Sequence, residues 1–282
     1  MIFDLVLENG TIITMDSQNQ ILENHCIAIK DGMIQAIFPV DSLTYETAEK
    51  IDASNCIIIP GLINMHSHLP MTYFRGLADD LPLNIWLQQY IWPLEAKLIN
   101  PQFVYDATLH SAAEMIKNGI STANDMYFCM NSIADACSKV GLRVFISEAL
   151  IDNEQTGNDG TNAIGKRIIE LKEEYKDNPL IDFTLAPHSI YACSENTLKN
   201  CAKVAGENDF IVHTHLSETA EEVENCLKEH KLSPVEYLQK IGLLDVQGIF
   251  AHGVWINEKE MDILAEKGNS SIAICTESNL KL

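Results

Sequence analysis

Basic residues are scarce in this chain. Its 282 residues include 19 Lys and Arg against 40 Asp and Glu, a formal net charge of −21. A field of that sign repels polyanions, which excludes nucleic acid and anionic membrane surfaces as partners. Nothing in the first residues reads as a secretory signal, because they carry Asp4 and Glu8 and no basic segment followed by an apolar run. Long apolar runs are absent too: the uncharged stretch from Ile57 to Phe74 is broken by Pro60, Asn64, His66, His68 and Pro70, which disqualifies it as a membrane span. The eight cysteines form no CxxC and no zinc-ribbon spacing. Free, mostly core-packed thiols in a cytoplasmic protein are therefore the expectation. With 46% hydrophobic and 21% charged residues the chain has the balance of a folded soluble protein, and its length suits two domains or one large α/β unit.

Two rhythms follow one another along the chain. Residues 1–60 read as a small all-β unit of short strands: Asp4 to Leu7, a turn at Glu8-Asn9-Gly10, Thr11 to Met15, then a run around Cys26 to Ile29 that meets Met33 to Phe38 across Lys30-Asp31-Gly32. Asp-Gly between β-rich runs is a strong hairpin signal. After Pro60-Gly61 the pattern becomes alternating strands and helices, the signature of βα units around a parallel sheet. Strands are expected at Leu62 to His66, Ile120 to Met126, Arg143 to Leu150, Ile181 to Pro187, Phe210 to His215, Gly248 to His252 and Ser271 to Cys275. Helices are expected at Pro101 to Asn118, Asn131 to Val140, Ala163 to Tyr175, Glu195 to Glu207, Thr219 to His230 and Glu258 to Lys267. An additional helix, Leu83 to Leu98, follows the first of these strands, in the position from which insertions cover active sites.

Histidines stand at the ends of four of these strands. His66 and His68, two apart, share a face and can reach one metal ion, though as a lone pair they read equally as polar surface residues. Phe210 to Glu218 is a second apolar strand ending in histidine, with a carboxylate just beyond it. His215 suits a third metal ligand, while Glu218 stays unligated and free to shuttle protons. His213, one layer deeper on the same face, reads as a satisfied core histidine. His252 and His188 end two further strands. Packing alone does not account for four strands delivering histidine to one rim, because barrel interiors favour branched apolar residues. His25, His110 and His230 lie on the β unit or on helices and are given no role.

These motifs carry a resemblance. The chain resembles the amidohydrolase superfamily, and within it the methylthioadenosine/S-adenosylhomocysteine deaminase and chlorohydrolase-like group, on Pro60-Gly61-Leu62-Ile63-Asn64-Met65-His66-Ser67-His68, the loop Met71 to Leu83, Trp86-Leu87 and Trp92-Pro93-Leu94-Glu95. Pro187-His188-Ser189, His213 to Glu218, Ala251-His252-Gly253 and Ser278 to Leu282 extend it over essentially the whole sequence. The fold implied is α/β: a TIM-like (β/α) barrel with seven of eight strands over residues 61–282, plus a small N-terminal β-sandwich unit over 1–60 that lacks its C-terminal half. The resemblance implies one divalent metal ion, usually zinc, on His66, His68 and His215, with Glu218 and His252 catalytic. It further implies Glu95 as a ribose contact, His188 as a substrate contact and Trp86 as a pocket wall. Trp86 reads equally as a hydrophobic anchor of its helix, and Glu95 as a solvated helix face. The implied reaction is hydrolytic deamination of a small adenosine derivative, with a metal-activated water and a neighbouring Glu as acid and base. Aminodeoxyfutalosine or guanine-type deamination and hydrolytic dechlorination use the same apparatus.

Three departures bear on that expectation. Glu148 stands where the S-adenosylhomocysteine deaminases carry an Arg that holds the amino-acid carboxylate; a like charge there favours methylthioadenosine. The His-(Asn/Cys)-Pro-x-Ser-Asn element appears as Ile274-Cys275-Thr276-Glu277-Ser278-Asn279. The family also continues past Ser-Asn-Leu-Lys-Leu into an eighth strand bearing an Asp. The chain therefore reads as a fragment, as a degraded product that binds metal or nucleoside without turnover, or as a protein that closes the gap by forming a homo-oligomer.

Overall fold

The computed structural model describes residues 2–152 and 160–282. They form two compact units, Met1–Leu62 and Ile63–Leu282.

In the first unit β1 (Ile2–Ile13), β2 (Ile21–Lys30), β3 (Met33–Pro39), β4 (Glu46–Asp52) and β5 (Ile57–Ile58) make one mixed sheet in the order β3-β2-β1-β4, with β5 also on β1. Asp31 and Gly32 both take positive φ, 51° and 73°, which is the two-residue hairpin geometry that Asp-Gly predicts. The expected turn at Glu8-Asn9-Gly10 is instead an irregularity inside β1: the pairing to β2 shifts between Leu7 and Gly10, and Asn9 sits at φ 64°. Gly10 is required there, since a Cβ would lie 2.6 Å from the Ile58 side chain. Phe3, Val6, Cys26, Ala28 and Phe38 form the core of this unit. Among the described residues it is one five-stranded sheet.

In the second unit β6 (Leu62–Ser67), β7 (Ile120–Tyr127), β8 (Arg143–Leu150), β9 (Ile181–Phe183) and β10 (Ala186–Pro187) form one sheet, and β11 (Val212–Leu216), β12 (Gly248–His252) and β13 (Ser270–Ala273) another. A parallel bridge between Leu185 and Val212 joins them into a curled parallel sheet. The stretch expected as one strand from Ile181 to Pro187 breaks at Thr184-Leu185, with both pieces paired to β8.

The helices are α1 (Leu83–Trp86), α2 (Trp92–Leu98), α3 (Pro101–Lys117), α4 (Met130–Val140), α5 (Thr161–Glu174), α6 (Glu195–Asn208), α7 (Ala220–His230), α8 (Pro234–Ile241), α9 (Glu258–Lys267) and α10 (Thr276–Asn279). Their starts follow capping chemistry: Asn100 accepts from the amides of Gln102 and Phe103, Ser194 from Thr197 and Thr219 from Glu222. The periodicity assigned nothing to 234–241, yet Ser233 and Glu236 make a capping box there and α8 follows. Leu83 to Leu98, expected as one helix, is broken by a π-turn at Leu87–Ile91. Pro93, which has no amide hydrogen and crowds the preceding turn, accounts for the break. Val104, Ile133, Val144, Ile146, Leu198, Val212 and Phe250 are among the fully buried side chains that pack helices onto sheet. Among the described residues no helix is long and apolar enough to cross a membrane.

Candidate active site

Side-chain alternation sends His66 on β6 and His213 and His215 on β11 to the inner face, His68 follows β6 as the cap of the turn Leu69–Phe74, and β12 ends on His252. The imidazoles converge. Ring centroids lie 4.8 Å apart for His66 and His68, 4.7 Å for His66 and His215, 5.3 Å for His68 and His215, and 5.2 Å for His66 and His252. His68 and His215 approach at 3.3 Å between their Nε2 atoms, and ligand atoms of His66, His215 and His252 all lie within 4.8 Å of one another.

The other ring nitrogen of each is engaged. His68 Nδ1 donates to the Met126 carbonyl at 2.6 Å and His215 Nδ1 to the His188 carbonyl at 2.7 Å, which fixes both tautomers and turns both Nε2 lone pairs toward the cluster. His66 Nδ1 pairs with His213 Nε2 at 2.8 Å, leaving His66 Nε2 on the same side. His213 is only half satisfied, because its own Nδ1 is buried without a partner. It is thus a support for His66, not the fully satisfied core histidine that was expected.

Burial, followed by the neighbouring imidazoles, holds His66 and His215 well below the usual histidine value; burial lowers His68 as well. Neutral, inward-facing nitrogens with backbone-locked partners fit a divalent ion of zinc type.

Glu218 is almost fully buried, 3.5 Å from His252 Nε2. Burial pushes its carboxyl up to about 7, with the Tyr191 hydroxyl pulling the other way. The turn that presents it is held by Glu222, whose carboxylate accepts the amides of Ser217 and Glu218 at 3.0 and 2.8 Å. His252 itself pairs with Asn279.

These groups open onto a cavity of about 1100 Å³. His188, Trp86 and Glu95 line it. Trp86 also donates through Nε1 to the Leu77 carbonyl at 3.1 Å, so it anchors the loop it covers, and Glu95 accepts from the Tyr127 hydroxyl at 2.6 Å.

Glu148 is the exception among the expected residues. Its carboxylate accepts the backbone amides of Cys129 and Met130 at the start of α4, and the wall beside it is made by Ala149 and Ile151. A strand-end carboxylate beside free helix amides is drawn to them. The expected repulsion of a substrate carboxylate by Glu148 is corrected accordingly.

Sequence reasoning missed Tyr127, Glu222 and Asp125. Asp125 accepts the Leu69 amide at 2.6 Å and the Ser67 hydroxyl at 3.2 Å, bracketing His68. Glu222, four residues beyond Glu218 in the first turn of α7, was the one with a visible signal.

Residues 57–282 match the Amidohydrolase family. The chain is 39% identical over 275 residues to a 5-methylthioadenosine/S-adenosylhomocysteine deaminase of Thermodesulfovibrio yellowstonii, covering 96% of this chain and 62% of that protein. It is 39% identical over 281 residues to a 5'-deoxyadenosine deaminase of Methanococcus vannielii, covering 99% and 64%. The crystal structure of an adenosine deaminase from Xanthomonas campestris with bound zinc superposes with a TM-score of 0.92 at 35% identity, covering all of this chain and 64% of that one. The chain therefore spans less than two thirds of the length of each.

Proposed function

The chain belongs to the amidohydrolase family, and from that premise we propose that it removes the 6-amino group of an adenosine derivative by hydrolysis, releasing ammonia, with methylthioadenosine preferred to S-adenosylhomocysteine. The observation that carries the reading is the convergence of His66, His68, His215 and His252 beside a buried Glu218 on one cavity. His66, His68 and His215 would hold a divalent ion, which when bound supplies the charge that lets water ionise near neutral pH. Glu218, whose carboxyl titrates near neutrality, takes a proton from the attacking water and returns it to the departing amine. His252 orients that water through Nε2. Glu95, held by Tyr127, is placed to accept hydrogen bonds from ribose hydroxyls, and His188 and Trp86 flank the base.

The substrate preference rests on the cavity's charges. Among the described residues that line it, Arg75 is clamped by both oxygens of Glu114, while Asp79 and Asp80 add negative charge. A nucleoside with no carboxylate meets the weaker penalty there. The test is ammonia release by the zinc-loaded chain from methylthioadenosine, S-adenosylhomocysteine and adenosine. Turnover fastest on methylthioadenosine is expected. Faster turnover of S-adenosylhomocysteine overturns the preference, and no ammonia from any 6-aminopurine nucleoside with zinc bound overturns the deaminase reading.

A further inference from the structure

Asn279, the last residue of α10, makes two bonds to a single residue. Its Nδ2 donates to the His252 carbonyl at 3.1 Å and its Oδ1 lies 3.0 Å from His252 Nδ1. The first bond fixes the orientation of the carboxamide, because a carbonyl accepts only from the NH2 end. Oδ1 must then accept from His252, so the hydrogen of the neutral ring is on Nδ1 and the lone pair is on Nε2. That lone pair points to the side of Glu218, whose Oε1 is 3.5 Å away. The backbone of His252 is held at φ 77°, a region unfavourable for any residue with a Cβ, and the Nδ2 bond ties down the carbonyl of that same residue.

We propose that Asn279 is a positioning residue for deamination: it holds His252 in the Nδ1–H tautomer, so that Nε2 accepts a hydrogen bond from the attacking water. This rests on the deaminase reading above. Without Asn279 the neutral ring would divide between its tautomers, and in one of them Nε2–H would present a donor where an acceptor is needed. Asn279 touches neither the attacked carbon nor the metal-facing nitrogens of His66, His68 and His215, so its loss alters the rate and spares metal and substrate binding.

Two measurements test this. In histidine labelled with ¹⁵N, the His252 ring, identified by the signals lost in His252→Gln, should show a protonated Nδ1 and an unprotonated Nε2, and Asn279→Leu should convert it to a tautomer mixture. A parent ring protonated on Nε2 overturns the proposal whatever the enzyme's activity. In kinetics, Asn279→Leu should lower kcat by about 10- to 100-fold, the size typical of losing a group that orients an active imidazole, with KM and zinc content little changed. Asn279→Asp, which keeps an acceptor for Nδ1–H but loses the bond to the His252 carbonyl, should recover part of that loss. Equal loss in both variants, or an unchanged kcat in Asn279→Leu once the tautomer is mixed, contradicts the proposal. Absence of turnover in the parent strikes the deaminase reading, and the tautomer measurement still decides the role of Asn279.

Discussion

His68 and His215 are held by backbone carbonyls, of Met126 at 2.6 Å and His188 at 2.7 Å, whereas Glu218 and His252 are held by the side chains of Glu222 and Asn279. The first arrangement follows from strand register: once β6 lies beside β7 and β10 beside β11, the carbonyls are where the rings need them. The second depends on backbone in the left-handed region, with Ser217 at φ 48° and His252 at φ 77°, and on side chains that close over it. One side of the cavity is thus built by regular structure and suits a fixed ligand set. The other is built where side chains at helix ends close over left-handed backbone at or just past the ends of two strands, and suits groups that exchange protons.

Damage on that second side is therefore expected to remove turnover without removing metal. The largest effect is expected for Glu218→Gln, which keeps size and loses the proton acceptor: kcat should fall about 10²- to 10⁴-fold in an ammonia-release assay, with bound zinc unchanged. Loss of zinc in that variant would break the comparison.

A smaller effect sharpens the strand side. Asp125 on β7 is fully buried, and burial raises its carboxyl to about 7 from the usual 3.8, against the pull of the Leu69 amide and the Ser67 hydroxyl. Its Oδ2 is buried without a partner, so a negative charge on that oxygen would be poorly compensated. Because the folded value lies above the unfolded one, stability is fully present below about pH 4 and is lost as pH rises through about 7. Asp125→Asn stays neutral and should show no such loss. Metal-free parent and variant should therefore diverge by roughly 3 kcal/mol between pH 5 and 8, measured by urea unfolding. Parallel pH profiles would contradict the assignment.

The same division explains what the sequence disclosed. Strand and helix periodicity located β8 at Arg143–Leu150, β12 at Gly248–His252 and α9 at Glu258–Lys267 without error, and alternation put His66 with His68 and His213 with His215 on common faces. Those features are local, so local sequence reports them. Glu148 was misread because motif position says which strand end a side chain occupies, not that the amides of Cys129 and Met130 lie beside it. Asp125, and the contacts of Asn279 with His252, escaped for a related reason: they reach backbone or ring atoms brought near by neighbouring strands, and no spacing rule encodes such contacts, whereas Glu222 stands at a local spacing from Glu218 that the sequence displays. The irregularity at Asn9 and Gly10 and the break before Pro93 were hidden by reading one signal, turn chemistry in the first case and helical periodicity in the second, without the packing that overrides it.

Zinc titration of the parent chain, His68→Ala and His252→Ala separates the metal ligands from the proton-transfer side. One zinc per parent chain is expected, with affinity weakened by at least about 10-fold in His68→Ala and close to that of the parent in His252→Ala. Equal weakening in the two variants, or loss in His252→Ala alone, would contradict that division, because His252 would then belong to the ligand set and not to the proton-transfer side.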